Sequence, residues 1–243
     1  MKDQDLDEIA EFERTYWWHV GRRRMIARLL RAAAPARRPL RVLDVGCGTG
    51  ANLPLLAELG WAVGVEPSAV GLARCRAQGH DVVGGSAVAL PFPDQAFDVV
   101  TALDVIEHLD DDHAAAREAW RVLRPGGLFM VTVPAYRFLW SVHDEQLGHR
   151  RRYVASEVHQ LLNVCGFEVL RRSYAIMFTF PAITGFRIAQ GLLPALARRG
   201  ASYVHLPGPL NGLLVRLLDA ESLALSVVDL PVGTSVVALG RRR

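Results

Sequence analysis

The chain has 243 residues, of which 51% are hydrophobic and 22% are charged, and its formal net charge is +3. This composition excludes an intrinsically disordered chain, and the length suffices for one large α/β domain with a sizeable core. The three cysteines are odd in number and far apart, which excludes a disulfide framework and a cysteine metal site and indicates a reducing compartment.

The first part of the chain predicts a helical cap. The hydrophobic period is helical over Leu6 to Thr15 and again over Arg22 to Ala34. Residues 1–13 are acidic, whereas a secretory signal begins with basic residues, so no signal peptide is predicted. Between the two helices the run Tyr16 to Gly21 has the sequence YWWHVG. Its tryptophans either staple the cap to the rest of the protein or fold over a ligand, and the sequence favours neither.

A glycine-rich turn follows the first predicted strand. Residues Val42 to Val45 predict a buried strand, and a helix is predicted to begin near Asn52. Because glycine has no side chain, the turn between them lets the backbone approach a ligand closely. The turn follows Asp44 and has the spacing G-x-G-x-G, not the dinucleotide spacing G-x-G-x-x-G, which argues against a nicotinamide dehydrogenase. Its three glycines are Gly46, Gly48 and Gly50.

A second apolar run, Trp61 to Val65, predicts the next strand, and this strand ends at Glu66 and Pro67. Glu66 lies about 20 residues beyond the turn, where a doubly wound fold places an acid that binds a ribose diol. A carboxylate suits this task because it can accept hydrogen bonds from both hydroxyls at once. The alternative is that Glu66 is a solvated acid at a strand end.

Three further strands are predicted in this half of the chain. They cover Val82 to Ala89, Phe97 to Leu103 and Leu128 to Val133. A short motif accompanies each of them. The three motifs are LPFPD at 90–94 and DVIEHL at 104–109, which follow the third and fourth strands, and LRPGG at 123–127, which precedes the fifth.

In this order, the glycine turn, Glu66 and the three motifs resemble the motif series of class I S-adenosylmethionine (SAM)-dependent methyltransferases. The resemblance covers residues 40 to 135. It implies a doubly wound, seven-stranded, mostly parallel Rossmann-like α/β sheet, SAM as the cofactor, and an enzyme that transfers a methyl group. No metal site is predicted.

The resemblance also implies which residues bind the cofactor. Asp44 would support the turn, Glu66 would bind the ribose, and an arginine of the cap, Arg23, would pair with the methionine carboxylate. After the third strand the family often has an acid before an alanine, but here Ser86 precedes Ala87, and a hydroxyl accepts less strongly than a carboxylate. The expected cofactor-binding residues are Asp44, Gly46, Gly48, Gly50, Glu66, Pro67, Ser86, Ala87, Asp104 and Arg23.

Residues 134–154 form a long polar and aromatic connection after the fifth strand. Ligands of open α/β sheets bind beside the carboxyl ends of strands, and long loops there are usually functional. This loop carries His143, Asp144 and His149, and imidazole has the pKa suited to a general base. We therefore predict that one histidine is the catalytic base and that Asp144 orients it. The alternative is that both histidines only pack the loop.

The last third of the chain departs from the α/β alternation. Phe167 to Tyr174 predicts a sixth strand and Gly233 to Leu239 the last one, with an apolar helical insertion between them. The insertion is a substrate lid or core, a dimer surface, or a shallow contact with a membrane. The expected single domain, 1–243, comprises a helical cap (1–38), an α/β core (39–174), the insertion (175–230), and the last strand with a basic tail (231–243).

The expected function is transfer of the SAM methyl group to an oxygen or nitrogen of a small-molecule acceptor. The loop 134–154 and the aromatic cap segment also resemble a bacterial subgroup associated with secondary metabolites and with saccharide or lipid-linked precursors. The alternative is a non-catalytic SAM-binding or partner-binding module on the same fold. No apolar stretch is long enough to span a membrane, so a cytoplasmic protein is expected, with peripheral membrane contact and a homodimer left open. No nucleic-acid partner is expected, because no basic and aromatic strand pattern is present.

Overall fold

The computed structural model describes residues 12–35, 39–192 and 206–243. The remaining parts of the predicted cap and insertion, 1–11, 36–38 and 193–205, lie outside the described residues. Of the first predicted helix, residues 12–15 are described, and they are helical.

Seven strands of the described chain form one sheet in the order β3-β2-β1-β4-β5-β7-β6. The first five pair in parallel, and β7 runs antiparallel to both of its neighbours, so the predicted mostly parallel, doubly wound sheet is confirmed. The strands are β1 Leu40–Val45, β2 Gly60–Glu66, β3 Val82–Gly84, β4 Phe97–Leu103, β5 Leu123–Pro134, β6 Phe167–Ala175 and β7 Ser235–Arg242.

Burial on both faces explains the continuous apolar runs of the central strands. Every residue of β4 is buried, and alternate residues of this strand point to opposite faces of the sheet. Val100 therefore belongs to one hydrophobic cluster and Val99 to the other. The two clusters form a core on each side of the sheet.

Two predicted strands show the largest differences from the observed ones at a single end. The third was predicted over Val82 to Ala89 but ends at Gly84, because the chain then turns and only Ser86 and Ala89 form an isolated bridge. The fifth was predicted from Leu128 but begins at Leu123, since Leu123 already pairs with Phe97 before a shift in register.

Helices cover both faces of this sheet. Helices α1 and α8 contribute to one hydrophobic cluster, and α4 and α6 contribute to the other. The helices of the described residues are α1 Trp17–Ala33, α2 Leu53–Ala57, α3 Ala69–Ala77, α4 Asp112–Val122, α5 Val142–Leu147, α6 Ala155–Val164, α7 Phe180–Leu192 and α8 Gly208–Leu225.

The insertion packs directly against the cap. Helices α1 and α8 approach so closely at Gly21 that a Cβ atom there would lie 2.5 Å from Leu218. The backbone N–H of Trp17 donates to Oδ1 of Asn211 at 2.8 Å. The carboxylate of Glu221 accepts backbone N–H bonds from the turn after β6, including that of Met177 at 2.7 Å. Helix α8 of the insertion is thus part of the packed fold. Among the described helices none has the length and apolarity to cross a membrane.

Candidate functional site

The carboxyl ends of β1, β2, β4 and β5 open into a cavity of about 700 Å³. The cap, the loop after β5 and helix α7 close its other sides. We call the part lined by Gly46, Gly48, Glu66 and Ser86 the loop end, and the part lined by His108, His143, His149 and Arg152 the histidine end.

The glycine turn forms the floor of the loop end. Gly46 and Gly48 have φ angles of +66° and +57°, a backbone region that side chains disfavour. A Cβ at Gly46 would lie 2.7 Å from Val105, whereas one at Gly48 would meet no atom within 4 Å. The Gly48 backbone is therefore exposed to the cavity. Gly50, with φ of +86°, does not line the cavity, and its Cβ would meet Cys75 and His80 instead.

Glu66 lies beside this turn and is held by two backbone donors. The N–H of Gly48 donates to Oε2 at 3.0 Å, and the N–H of Ser68 donates to Oε1 at 2.9 Å. Each carboxylate oxygen has a second lone pair, so two acceptor positions remain for a ligand. Glu66 and the adjacent Pro67 both line the cavity.

Asp44 lies behind the turn and does not line the cavity. Its Oδ1 accepts a hydrogen bond from the hydroxyl of Thr101 at 2.6 Å. Burial raises the pKa of Asp44 to about 7, although the hydrogen bond from Thr101 opposes this shift. The position of Asp44 fits support of the turn.

The other predicted cofactor residues also surround this part of the cavity. Ser86 and Ala87 line it after the short strand β3, and Asp104 lines it after β4. Asp104 has a positive φ of 58° and accepts from the hydroxyl of Thr132 at 3.0 Å. Arg22 forms an ion pair with Asp104 at 2.6 Å. The structure thus brings Asp104 to the cavity together with an arginine that the sequence did not single out.

Arg23, the predicted arginine, lines the cavity beside Glu13. Burial lowers the pKa of Arg23, and the charge of Glu13 opposes that effect. Glu13 in turn accepts a hydrogen bond from the hydroxyl of Thr49 in the glycine turn. Only a structure could separate the two neighbouring arginines, because consecutive helical residues point in different directions.

The aromatic segment of the cap, Tyr16 to Gly21, both packs against the rest of the protein and lines the cavity. Trp17 is buried and packs against Phe178, with ring centroids 5.6 Å apart. Trp18 and His19 line the cavity, and Arg22 lies 4.7 Å from the ring of Trp18. Burial lowers the pKa of His19 to about 3, with help from the nearby arginines, so its imidazole is neutral.

At the histidine end, Asp144 organises the loop after β5. It is fully buried and accepts from Nδ1 of His149 at 2.9 Å and from Nε of Arg152 at 2.7 Å. The N–H and hydroxyl of Ser141 complete its partners, at 2.9 and 3.0 Å. Burial alone would raise the pKa of Asp144, but the hydrogen bonds of His149, Arg152 and Ser141 outweigh it and hold the pKa below its usual range. Asp144 is therefore an ionised carboxylate that orients His149.

Two further histidines face the same space. His143 lines the cavity, and burial lowers its pKa. The ring of His108 stands edge-on to that of His149, with centroids 4.8 Å apart. Burial, and then the charge of His149, lower the pKa of His108. Neutral imidazoles at this end can accept a proton near neutral pH.

Glu107 also lines the cavity and was not predicted. It lies in the short turn Ile106–His108 after β4 and is fully buried. Burial, and then the charge of Asp104, raise the pKa of Glu107 well above its usual value. Its position in the DVIEHL motif could have predicted this, because acids directly after a parallel strand lie at the edge of the sheet where ligands bind.

Comparisons with known proteins show a consistent pattern. A family model described as a methyltransferase domain matches residues 43–131. A probable SAM-dependent methyltransferase of Mycolicibacterium smegmatis is 38% identical over 133 residues, 53% of this chain and 52% of that protein. The chain spans about half the length of such curated mycobacterial relatives.

Two other proteins are similar over most of the chain. The malonyl-[acyl-carrier protein] O-methyltransferase of Enterobacter lignolyticus is 30% identical over 200 residues, 78% of this chain and 76% of that protein. A solved SAM-dependent methyltransferase of Archaeoglobus fulgidus shares the fold, with a TM-score of 0.59 at 17% identity over 97% of this chain and 99% of that one.

Proposed function

This chain belongs to the SAM-dependent methyltransferases, and on that basis we propose that it transfers the methyl group of SAM to a small molecule. The acceptor atom is an oxygen or nitrogen, and the acceptor class is a secondary metabolite or a saccharide or lipid-linked precursor. The observation that carries this proposal is one cavity with a backbone-built loop end and a histidine end.

The loop end fits the cofactor. Gly48 leaves open space where any other residue would place a side chain, and two acceptor positions on Glu66 can take the ribose hydroxyls. We expect Ser86 and Ala87 to face the adenine and Arg23 to pair with the methionine carboxylate, since all three line the cavity. When bound, SAM supplies an electrophilic methyl group on a positively charged sulfur.

The histidine end supplies proton removal. We assign the general base to His143 or His149, which receives the proton of an acceptor hydroxyl or ammonium as that atom becomes a nucleophile. Asp144 holds Nδ1 of His149 at 2.9 Å, so the other ring nitrogen of His149 is free to accept. Holding the acceptor between the walls of the cavity removes part of the entropic barrier, about 7–11 kcal/mol in well-oriented systems.

One related protein supports an oxygen acceptor. This relative, which matches 78% of this chain, is named as a malonyl-[acyl-carrier protein] O-methyltransferase. A hydroxyl acceptor needs a base near neutral pH, and that is what the histidines provide. The carrier protein itself is a property of that relative.

The test is a mass-spectrometric search for methylated products. The purified protein is incubated with SAM and candidate alcohols, amines and saccharide or lipid-linked precursors, and each product is weighed. The proposal predicts at least one product heavier by one CH₂ group, together with S-adenosylhomocysteine. If S-adenosylhomocysteine binds to the folded protein but no acceptor of these classes is methylated, a non-catalytic SAM-binding module is the better account.

A further inference from the structure

Three side chains on the cavity wall lie close enough together to bind one metal ion. One ligand atom each from Glu107, His108 and His149 lies within 4.8 Å of the other two. Glu107 and His108 are consecutive in the turn after β4, and His149 comes from the loop after α5. The fold therefore brings two distant segments together at this point of the cavity.

Glu107 has no partner that explains its burial. Its side chain is fully buried, and among the described residues neither oxygen is hydrogen-bonded to another residue. A buried carboxyl group without a donor from another residue is costly to ionise unless a positive group compensates its charge. Arg22 and Arg152 act on it only at a distance, and each pairs with another carboxylate, Asp104 or Asp144. Within the described part of the chain, no positively charged side chain forms an ion pair or hydrogen bond with Glu107.

Both histidines are held from behind, as metal-binding histidines usually are. Nδ1 of His149 is engaged by Asp144 at 2.9 Å, which leaves Nε2 as its lone-pair atom. The backbone of Gly148 offers a hydrogen-bond acceptor to the ring of His108. The two rings are fixed nearly perpendicular, at 79°.

We propose that Glu107, His108 and His149 bind one divalent first-row transition metal ion. Two imidazole nitrogens and one carboxylate oxygen suit zinc, iron, manganese, cobalt or nickel, whereas magnesium and calcium sites are built from oxygen ligands. The ion would place a positive charge next to the carboxylate of Glu107.

The site has a consequence for the acceptor. Three protein ligands leave at least one coordination position open, and all three residues line the cavity. An oxygen of the acceptor can occupy that position, which would bring its pKa down. This consequence rests on the proposed function, whereas binding of the ion does not. With His149 holding the ion, His143 is the general base.

A second group in the described chain provides a control. Asp111, Asp112 and His113 are also close enough to share an ion. There, however, Asp112 accepts from the hydroxyl of Tyr153 at 2.7 Å, and Asp111 caps helix α4. His113 and Asp111 are exposed, so this group shows no uncompensated charge and we assign no ion to it.

The experiment measures zinc binding to the full chain after treatment with a chelator. Calorimetric titration with Zn²⁺ and elemental analysis of the dialysed complex give affinity and stoichiometry. We expect one tight ion per chain. Glu107→Gln and His149→Ala should each weaken it by at least 10–100-fold, the loss seen when even a supporting residue of a ligand is changed. His113→Ala should bind as the wild type does.

Binding of S-adenosylhomocysteine by each variant shows that it is folded and separates the two proposals. If the wild type binds S-adenosylhomocysteine but no zinc, the metal site is wrong and the methyltransferase proposal stands. If the wild type binds zinc but not S-adenosylhomocysteine, the methyltransferase proposal is wrong and the metal site stands. Equal zinc binding by the wild type, Glu107→Gln and His149→Ala would also overturn the metal site, because the ion would then be elsewhere.

Discussion

The two ends of the cavity are built from different kinds of groups. The loop end consists of backbone from one glycine turn with the carboxylate of Glu66, which two backbone N–H groups hold. The histidine end consists of side chains from separate segments, ordered around the buried carboxylate of Asp144. We therefore expect a ligand at the loop end to be recognised by backbone shape, and chemistry at the histidine end to depend on which side chains are present. Substitutions should therefore affect binding at one end and rate at the other.

The largest effect is expected at the histidine end. Replacing His143 by alanine removes the proposed base and should slow methyl transfer by about 10²–10⁴-fold. The affinity for S-adenosylhomocysteine should stay near that of the wild type. Single-turnover rates with the acceptor found by mass spectrometry measure this, and His113→Ala is the control because that histidine is exposed. A near-native rate for His143→Ala would mean that His143 is not the general base.

Asp44 offers a second contrast, because it supports the loop end without touching the cavity. Its pKa is raised from 3.8 to about 7 by burial, so the folded protein holds a proton that the unfolded chain releases between these values. Stability should therefore fall as the pH rises from about 4 to 7, by on the order of 4 kcal/mol.

Asp44→Asn should abolish this part of the pH dependence. The measurement is the free energy of unfolding in urea at pH 5 and pH 8 for the wild type and the variant, a range in which about 3 kcal/mol of the loss should occur. Asp110→Asn is the matched control, since the side chain of Asp110 is largely exposed. If the wild type and Asp44→Asn lose the same stability between these pH values, Asp44 is ionised in the folded protein.

Glu66 tests the loop end itself. Glu66→Ala should weaken S-adenosylhomocysteine by about 1.5–3 kcal/mol, the range for hydrogen bonds to a charged group, which is roughly 10–150-fold. Calorimetric titration measures the loss, and Glu58→Ala serves as the control because Glu58 lies on the surface. An unchanged affinity would mean that Glu66 only ties the turn to helix α3.

The smallest effects are expected in the glycine turn, where two substitutions separate the cost of a positive φ from the cost of a steric clash. Gly48→Ala should cost about 1–2 kcal/mol of stability from its positive φ alone, because a Cβ there meets no atom. Gly46→Ala should cost more, since its Cβ would also lie 2.7 Å from Val105. Thermal unfolding of both variants decides this, and equal losses would contradict the difference in packing.

The same contrast explains what could be predicted from sequence. Strand β4 was predicted at its observed bounds because both faces are buried, and the glycine turn was predicted because its spacing is local. The predicted β3 was too long, because the turn after Gly84 does not interrupt the hydrophobic pattern clearly. It also missed Arg22 and Glu107, whose roles depend on contacts between segments far apart in the chain. The proposed metal ligands were not predicted for the same reason, because they show no metal-ligand spacing in the sequence.

The most direct test of the division between the two ends combines two variants with two measurements. For Glu66→Ala, His143→Ala and the double variant, we would measure the dissociation constant of S-adenosylhomocysteine and the single-turnover rate at saturating SAM. We predict that Glu66→Ala raises the dissociation constant and largely keeps the rate, that His143→Ala does the opposite, and that the effects add in free energy in the double variant. If either single variant changes both quantities by similar factors, the two ends do not act separately and the account is wrong.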